Sequence, residues 1–361
     1  MKPHLRASAV LAALTLTATL AACSSTDKGS SSSRIRIGLL LPENETARYE
    51  KFDKPLMEKR IALLTFGKGK VLYANAGGDA ARQNVQVDMM IESKVDVLVV
   101  DPVDSKSIAG AVAKAKGAGI PVVAYDRLAE GPIDAYTSFY NETVGRVQGE
   151  ALLTALGDKA KSGKIVMMHG APTDPNAGQY KSGVHKILDG KVNIDREYDT
   201  ADWNPENART NMTTALSTLG KEKIVAVYSA NDGMAGGVVT ALKAAGYFPL
   251  PLITGQDAEL RAVQRIVTGD QFMTVYKSYA REAEAAAELA VALAKDGHTG
   301  GITNDVISSP TTKRVPTIFI PSVPVTRDNI RETVVLDAFY TVEEICTDAL
   351  KAACSQIDLT Y

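Results

Sequence analysis

The chain has 361 residues, of which 45% are apolar and 23% charged, enough to bury a substantial core and compatible with two domains. Its formal net charge of -2, with no dense run of Lys or Arg, excludes the basic footprint that a nucleic-acid partner requires.

The first residues have the parts of an export signal: Lys2 and Arg6, an apolar stretch from Leu11 to Leu20, then small residues before Cys23. That stretch is short for a bilayer span, and no other segment reaches the apolar length a transmembrane helix needs. Residues 24 to 33, SSTDKGSSSS, carry nothing to pack and are expected to form a flexible tether. Beyond Cys23 only Cys346 and Cys354 remain, an even number in an exported chain, and we expect them to be bonded. One unbroken helix would hold them too far apart, so the bridge requires the backbone to turn between them.

From Ile35 onward, short apolar runs alternate with segments of helical period, the pattern of parallel sheets covered by helices. The strand candidates in chain order are IRIGLLL, KVLYA, VDVLVV, PVVAY, KIVMMH, KIVAVY, PLITG and FMTVY. Helices such as AARQNVQVDMMIES and SIAGAVAKAKGAG lie between them, the second stopped by Gly117, Gly119 and Pro121. Two α/β lobes with doubly wound parallel sheets fit this length better than one, and AYTSFYN, residues 135 to 141, is the expected first crossing between them.

In open parallel sheets, ligands bind beyond the carboxyl ends of the strands. The residues that follow the strands here are polar: Arg48 and Tyr49, Asp101, Asp126 with Arg127, Asn176, Asn231 with Asp232, Asp257, and Lys277. Taken singly, each reads as a helix cap or a surface ion pair; taken together they read as one site. No glycine-rich phosphate loop accompanies them, so a nucleotide is disfavoured and no cofactor is expected. No H-E-x-x-H or G-x-S-x-G occurs, and His4, His169, His185 and His298 are too scattered in sequence to suggest a metal cluster. His169 at a strand end reads as a structural histidine. Carboxylates, amides and cations beside Tyr49 and the single tryptophan, Trp203, suit a sugar. Hydroxyls both donate and accept, and the C–H faces of a pyranose lie against flat rings. The adjacent Asp126 and Arg127 would present an acceptor and a donor together, each limiting the cost of burying the other.

Several stretches, in order and spacing, carry a family resemblance: VDVLVVDPVD at 95 to 104, VVAYDR at 122 to 127, DWNPENA at 202 to 208, SANDGMAGG at 229 to 237, GQDAE at 255 to 259 and MTVYK at 273 to 277. The chain resembles, over about residues 34 to 340, the sugar-binding proteins of bacterial ABC importers with the type I periplasmic-binding fold, and most closely their D-xylose-binding branch. The residues before Cys23 resemble a lipobox, which implies cleavage there and a lipid anchor on the outer face of the cell membrane. The resemblance further implies that Arg48, Asp126, Arg127, Asn176, Asn231, Asp257 and Lys277 form a hydrogen-bonding shell and that Tyr49 and Trp203 supply stacking faces. Asp101 and Asp232 would act behind them, Asp232 by orienting Asn231 or capping a helix. It implies three crossover strands, near 138, 275 and 307, so that residues 34–138 and 275–307 make the N-terminal lobe and 139–274 and 308–340 the C-terminal lobe, with a tail at 341–361. Lys277 would sit at the hinge. The implied activity is capture of a monosaccharide, D-xylose or a related aldose, by a monomeric receptor that hands it to a membrane permease, with no enzymatic step. A broad-specificity aldose receptor that also signals to a chemosensory or two-component partner is the alternative. A repressor of the same fold would need a helix-turn-helix where this chain has an export signal. An exported enzyme acting on sugars would show turnover.

Overall fold

The computed structural model describes residues 34–219 and 224–360. The signal, Cys23 and the serine tether lie outside these residues. Among the described residues, no helix is long and apolar enough to cross a membrane.

The first sheet starts with β1 (Arg36–Leu41), β2 (Lys70–Asn75), β3 (Val97–Val100), β4 (Val122–Tyr125) and β5 (Ala135–Phe139), all parallel. Its strands β3 and β4 are apolar at every position because both faces are covered. Ile37, Leu39, Leu41, Val97, Val99, Val123 and Tyr125 pack on one side with α1 (Lys54–Leu64) and the alanine-rich α9 (Tyr279–Asp296). Leu40, Leu98, Val100, Val122 and Ala124 pack on the other with α2 (Ala80–Glu92) and α3 (Ala109–Gly117). The two-residue period of the strands sorts their side chains between these two cores.

The second sheet has the order β7-β6-β8-β9, from β6 (Lys164–His169), β7 (Asn193–Asp199), β8 (Ile224–Ser229) and β9 (Leu252–Ile253), again parallel. Two helices cover one face, α4 (Asn141–Leu156) and α5 (Pro175–Leu188). Another pair, α6 (Pro205–Leu219) and α7 (Asp232–Ala244), covers the other. A Cβ on Gly145 of α4 would sit 2.1 Å from the carbonyl oxygen of Tyr180 on α5, so only glycine lets these two backbones approach. The contact fixes the height of Tyr180 and Asn176 above the sheet.

β7 is absent from the strand candidates because NIDREYD carries four charges in seven residues; it is the edge strand of its sheet, and only its Ile194 and Tyr198 side chains pack against cores.

The expected third crossing near 307 is corrected by the sheet order. β11 (Asp305–Ile307) is an edge strand antiparallel to β12 (Val315–Ile320), and β12 is parallel to β5, so residues 315–320 belong to the first sheet rather than to the second lobe. The intervening turn is tied back by Thr311 and Thr312, whose hydroxyls bond the backbone of Gly131. The chain leaves the first sheet at Pro321, where β13 (Ser322–Val325) pairs antiparallel with β10 (Thr274–Lys277) as a separate two-stranded connection. Prolines 316, 321 and 324 interrupt the run VPTIFIPSVPV, and so β12 and β13 do not read as strands. The tail packs through Val342, Ile345 and Leu359 against α8 (Leu260–Thr268), and Phe339 stacks on Phe52 at 4.6 Å. A disulfide joins Cys346, at the end of α10 (Val342–Ile345), to Cys354 in α11 (Lys351–Ser355), with the backbone turning between them.

Candidate functional site

A small cavity, with about 300 Å³ of empty space counting the part open to solvent, lies between the two sheets at the carboxyl ends of their strands. Arg48, Tyr49, Asp126, Arg127, Trp203, Asn231, Asp257 and Lys277 line it. Asn176 stands behind them, bonded to Asp126.

Asp126 follows β4 directly and has φ of 53°, left-handed backbone that an aspartate tolerates better than most residues. Its carbonyl oxygen accepts from Tyr136 Oη, Ser138 Oγ and Asn176 Nδ2, at 2.8, 2.7 and 3.1 Å. Those bonds hold the turn that aims the carboxylate into the cleft. Oδ2 accepts from Arg48 Nη1 at 2.5 Å and Oδ1 from Asn176 Nδ2 at 2.9 Å, so one carboxylate joins a first-sheet cation to a second-sheet amide. Burial would push this carboxyl up, but Arg48, Lys277 and Arg127 together outweigh it and hold the group below the usual carboxylate range.

Arg48 is buried among acids. Its guanidinium binds Asp53 through Nε and Nη2, at 2.7 and 3.0 Å, and Glu282 of α9 through Nη2 at 2.6 Å. With Asp126 on Nη1, most of its five N–H donors are taken. Arg127 is looser. Its Nε lies 3.0 Å from Asp174 Oδ2, while Asp101 and Glu43 are at 3.7 and 3.8 Å. Nη1 donates to the Pro102 carbonyl and Nη2 to the Tyr49 hydroxyl, which leaves N–H groups of the fork unused. Asp101 itself is fully buried with neither carboxylate oxygen hydrogen-bonded, and burial pushes its carboxyl well up.

On the second-lobe side, Trp203 Nε1 donates to Asp174 Oδ2 at 3.1 Å and the indole meets Tyr180 edge-on at 6.2 Å. Asp202 and Trp203 have φ of 58° and 55°, and a Cβ on Gly170 would lie 2.1 Å from the indole, so the ring is seated by a left-handed turn over a bare glycine. Asn231 caps α7 by accepting from the Met234 N–H at 3.0 Å; its Nδ2 has no protein partner among the described residues. Asp257, with φ of 95°, pairs with Lys277 at 2.8 Å. Burial works against the charge of Lys277, but Asp257 and Asp126 raise its pKa above the ordinary value.

Asp232 turns away from this cluster: its carboxylate accepts from Gln271 Nε2, Thr274 Oγ1 and the Glu259 N–H, locking α7 to the start of β10. Neither orienting Asn231 nor capping is its main contact.

Sequence reasoning missed Asp174, Tyr180 and Gln256, which line the cavity, and Asp53 and Glu282, which hold Arg48. Glu282 had a signal: it lies on the same helical stripe as the buried Tyr279, Ala286 and Leu289, where an acid is out of place unless paired. The histidines sit closer together than their spacing in the sequence suggests. His169 and His185, distant in sequence, both approach Glu197 Oε2, at 3.1 and 3.2 Å. Burial pushes the pKa of His169 down to about 4.

A family model described as periplasmic binding protein domain matches residues 37–299. The chain is 36% identical to the D-xylose-binding periplasmic protein of Escherichia coli, over 86% of this chain and 92% of that one. It is 31% identical to a multiple sugar-binding periplasmic protein of Azospirillum brasilense, over 84% and 89% of the two chains. Among solved structures, an ABC transporter solute binding protein from Clostridium phytofermentans with bound β-D-glucose superposes with a TM-score of 0.77 at 26% identity, covering 86% of this chain and 99% of that one. The two-lobed α/β architecture, the cleft at the strand ends and these likenesses agree: the chain belongs to the periplasmic binding protein family, with the type I fold.

Proposed function

We propose that this chain is the extracytoplasmic receptor of an ABC sugar importer, anchored through lipid on Cys23, which captures a monosaccharide between its lobes and delivers it to the permease. D-xylose is the first candidate, because a D-xylose-binding protein is among the most similar relatives. The observation that carries the reading is the contact of Asp126 with Asn176, in which an acceptor on one lobe is held by a donor on the other. A site divided in this way is complete only when the lobes meet, so a ligand that bonds to both favours the closed form. The permease would recognise that form.

The chemistry supports a polyol. Arg127 Nε and Gln256 Oε1, on residues that line the cavity, are buried without a well-formed hydrogen bond, and sugar hydroxyls could satisfy both kinds of atom. Asp126, Arg127, Asn231, Asp257 and Lys277 are assigned to the hydroxyls. Arg48 and Asn176 hold Asp126, and Tyr49 and Trp203 are assigned to the apolar faces of the ring. The likeness to a multiple sugar-binding protein favours one second reading, a receptor of broad aldose specificity.

Isothermal titration calorimetry on ligand-stripped protein from Ser24 onward, against xylose, glucose, galactose, arabinose and ribose, tests both. Tight binding of xylose alone is the expected result; comparable binding of several aldoses selects the second reading; binding of none overturns both. Asp126→Ala should lower affinity about 100-fold, the equivalent of roughly two charge-assisted hydrogen bonds, with the circular dichroism spectrum unchanged.

A further inference from the structure

His169 is the last residue of β6, His185 lies in the last turn of α5, and Glu197 is in β7. Three elements thus bring three ligating side chains to one place outside the cleft. One ligand atom from each lies within 4.8 Å of the other two. His169 Nε2 is 3.1 Å and His185 Nε2 3.2 Å from the same oxygen, Glu197 Oε2. Ligand atoms held by a tetrahedral ion at ordinary Zn–N and Zn–O bond lengths are separated by about 3.3 Å, so these spacings are those of a coordination edge. His185 Nδ1 is 2.8 Å from Asp189 Oδ1. A neutral His185 that donates there presents its Nε2 lone pair to Glu197, a meeting of two acceptors that either a proton on Nε2 or a metal ion between them relieves. Carboxylates behind ligating histidines orient metal sites in this manner.

We propose that His169, His185 and Glu197 form a binding site for a divalent transition-metal ion of the zinc class, with Asp189 orienting His185. The site is accessible: His185 and Glu197 are 23% and 34% exposed in their side chains, which leaves the fourth position to water. Lys181 is the competing charge, 3.7 Å from Glu197 Oε2. It is also 3.3 Å from Asp199, and at 38% exposure it can keep that second pairing alone when the metal enters. An ion here would tie together β6, α5 and β7. The segments that follow β6 and β7 carry Asp174 and Trp203, so the site stands behind the second-lobe wall of the cleft.

The test is titration of the full chain with Zn²⁺ in a non-chelating buffer near neutral pH, alongside His185→Ala and Glu197→Gln, with Co²⁺ as a spectroscopic probe. Both substitutions are at partly exposed positions, and thermal melting without metal checks that they fold. The wild type should bind one equivalent that each variant loses or binds at least ~10-fold more weakly, given that even residues behind a ligand cost that much. Co²⁺ should give the visible bands of a tetrahedral nitrogen and oxygen site, absent in both variants. Equal stoichiometry and affinity in all three proteins would overturn the site, as would Co²⁺ spectra dominated by thiolate charge transfer or no saturable binding.

Discussion

Arg48 and Arg127 are both buried and both line the cleft, yet they are built differently. Arg48 is saturated from its own lobe, by Asp53 beside α1, Glu282 on α9 and Asp126 after β4. Arg127 has one close acid, Asp174, and that acid belongs to the other lobe. Its remaining acids stand beyond hydrogen-bonding distance. A guanidinium whose donors are spent on fixed carboxylates acts as a strut: it sets the position and charge of Asp126. One with donors to spare and a partner across the cleft has donors left that a ligand could use. On the function proposed above, the same residue type would serve stability in one place and recognition in the other, and it is the partners, not the arginines, that decide.

Arg48→Met breaks this comparison most severely. It leaves Asp53, Asp126 and Glu282 buried around an apolar side chain, and removing one member of such a network costs about 3–5 kcal/mol. The denaturation midpoint at neutral pH should fall accordingly. A fall no larger than that of Arg127→Met would mean that Arg48 is no strut. Arg127→Met is expected to act the other way round, with sugar affinity reduced by about 10- to 100-fold in calorimetry and a smaller loss of stability. If its affinity matches the wild type, the recognition role passes to Arg48 or to neither.

How much of this could be read from the chain differs between fold and site. The parallel sheets were legible because VLVV and VVAY are buried on both faces and so are apolar without alternation. β12 was not, because its prolines hide a strand whose place is fixed by pairing with the distant β5. In the site, Asp126 and Arg127 stood out as charges abutting an apolar strand, and every lining residue named from the sequence lies at or beyond the carboxyl end of a strand. Asp174 did not stand out, since it reads as a helix cap before Pro175, and Glu282 was legible only as an acid on the apolar stripe of an alanine-rich helix. Asp174 is indeed the N-cap of α5, accepting from the Asn176 N–H, and it pairs with Arg127 through its other oxygen. A local role therefore does not exclude a role in the cleft. The left-handed backbone at Asp126, Trp203 and Asp257 leaves no compositional trace, because none of these positions is glycine.

The finest test concerns how much of Arg48's environment is charged. Burial pushes the Glu282 carboxyl well above its ordinary pKa, and Asp126 and Asp53 push the same way against Arg48. The unfolded chain releases this proton near pH 4.5, whereas the folded protein retains it to higher pH, so over that interval the folded state binds more protons and stability falls as pH rises. Glu282→Gln keeps the shape and cannot titrate. Its stability at pH 5 should lie within about 1 kcal/mol of the wild type, since an amide replaces a largely protonated acid. Its further loss between pH 5 and pH 8 should be smaller than the wild-type loss, measured by denaturant melts at both values. A variant that is strongly destabilised already at pH 5, with a pH slope like the wild type's, would show that Glu282 is ionised at that pH. Arg48 would then be held by full charge on all its partners, and its contrast with Arg127 would be sharper still.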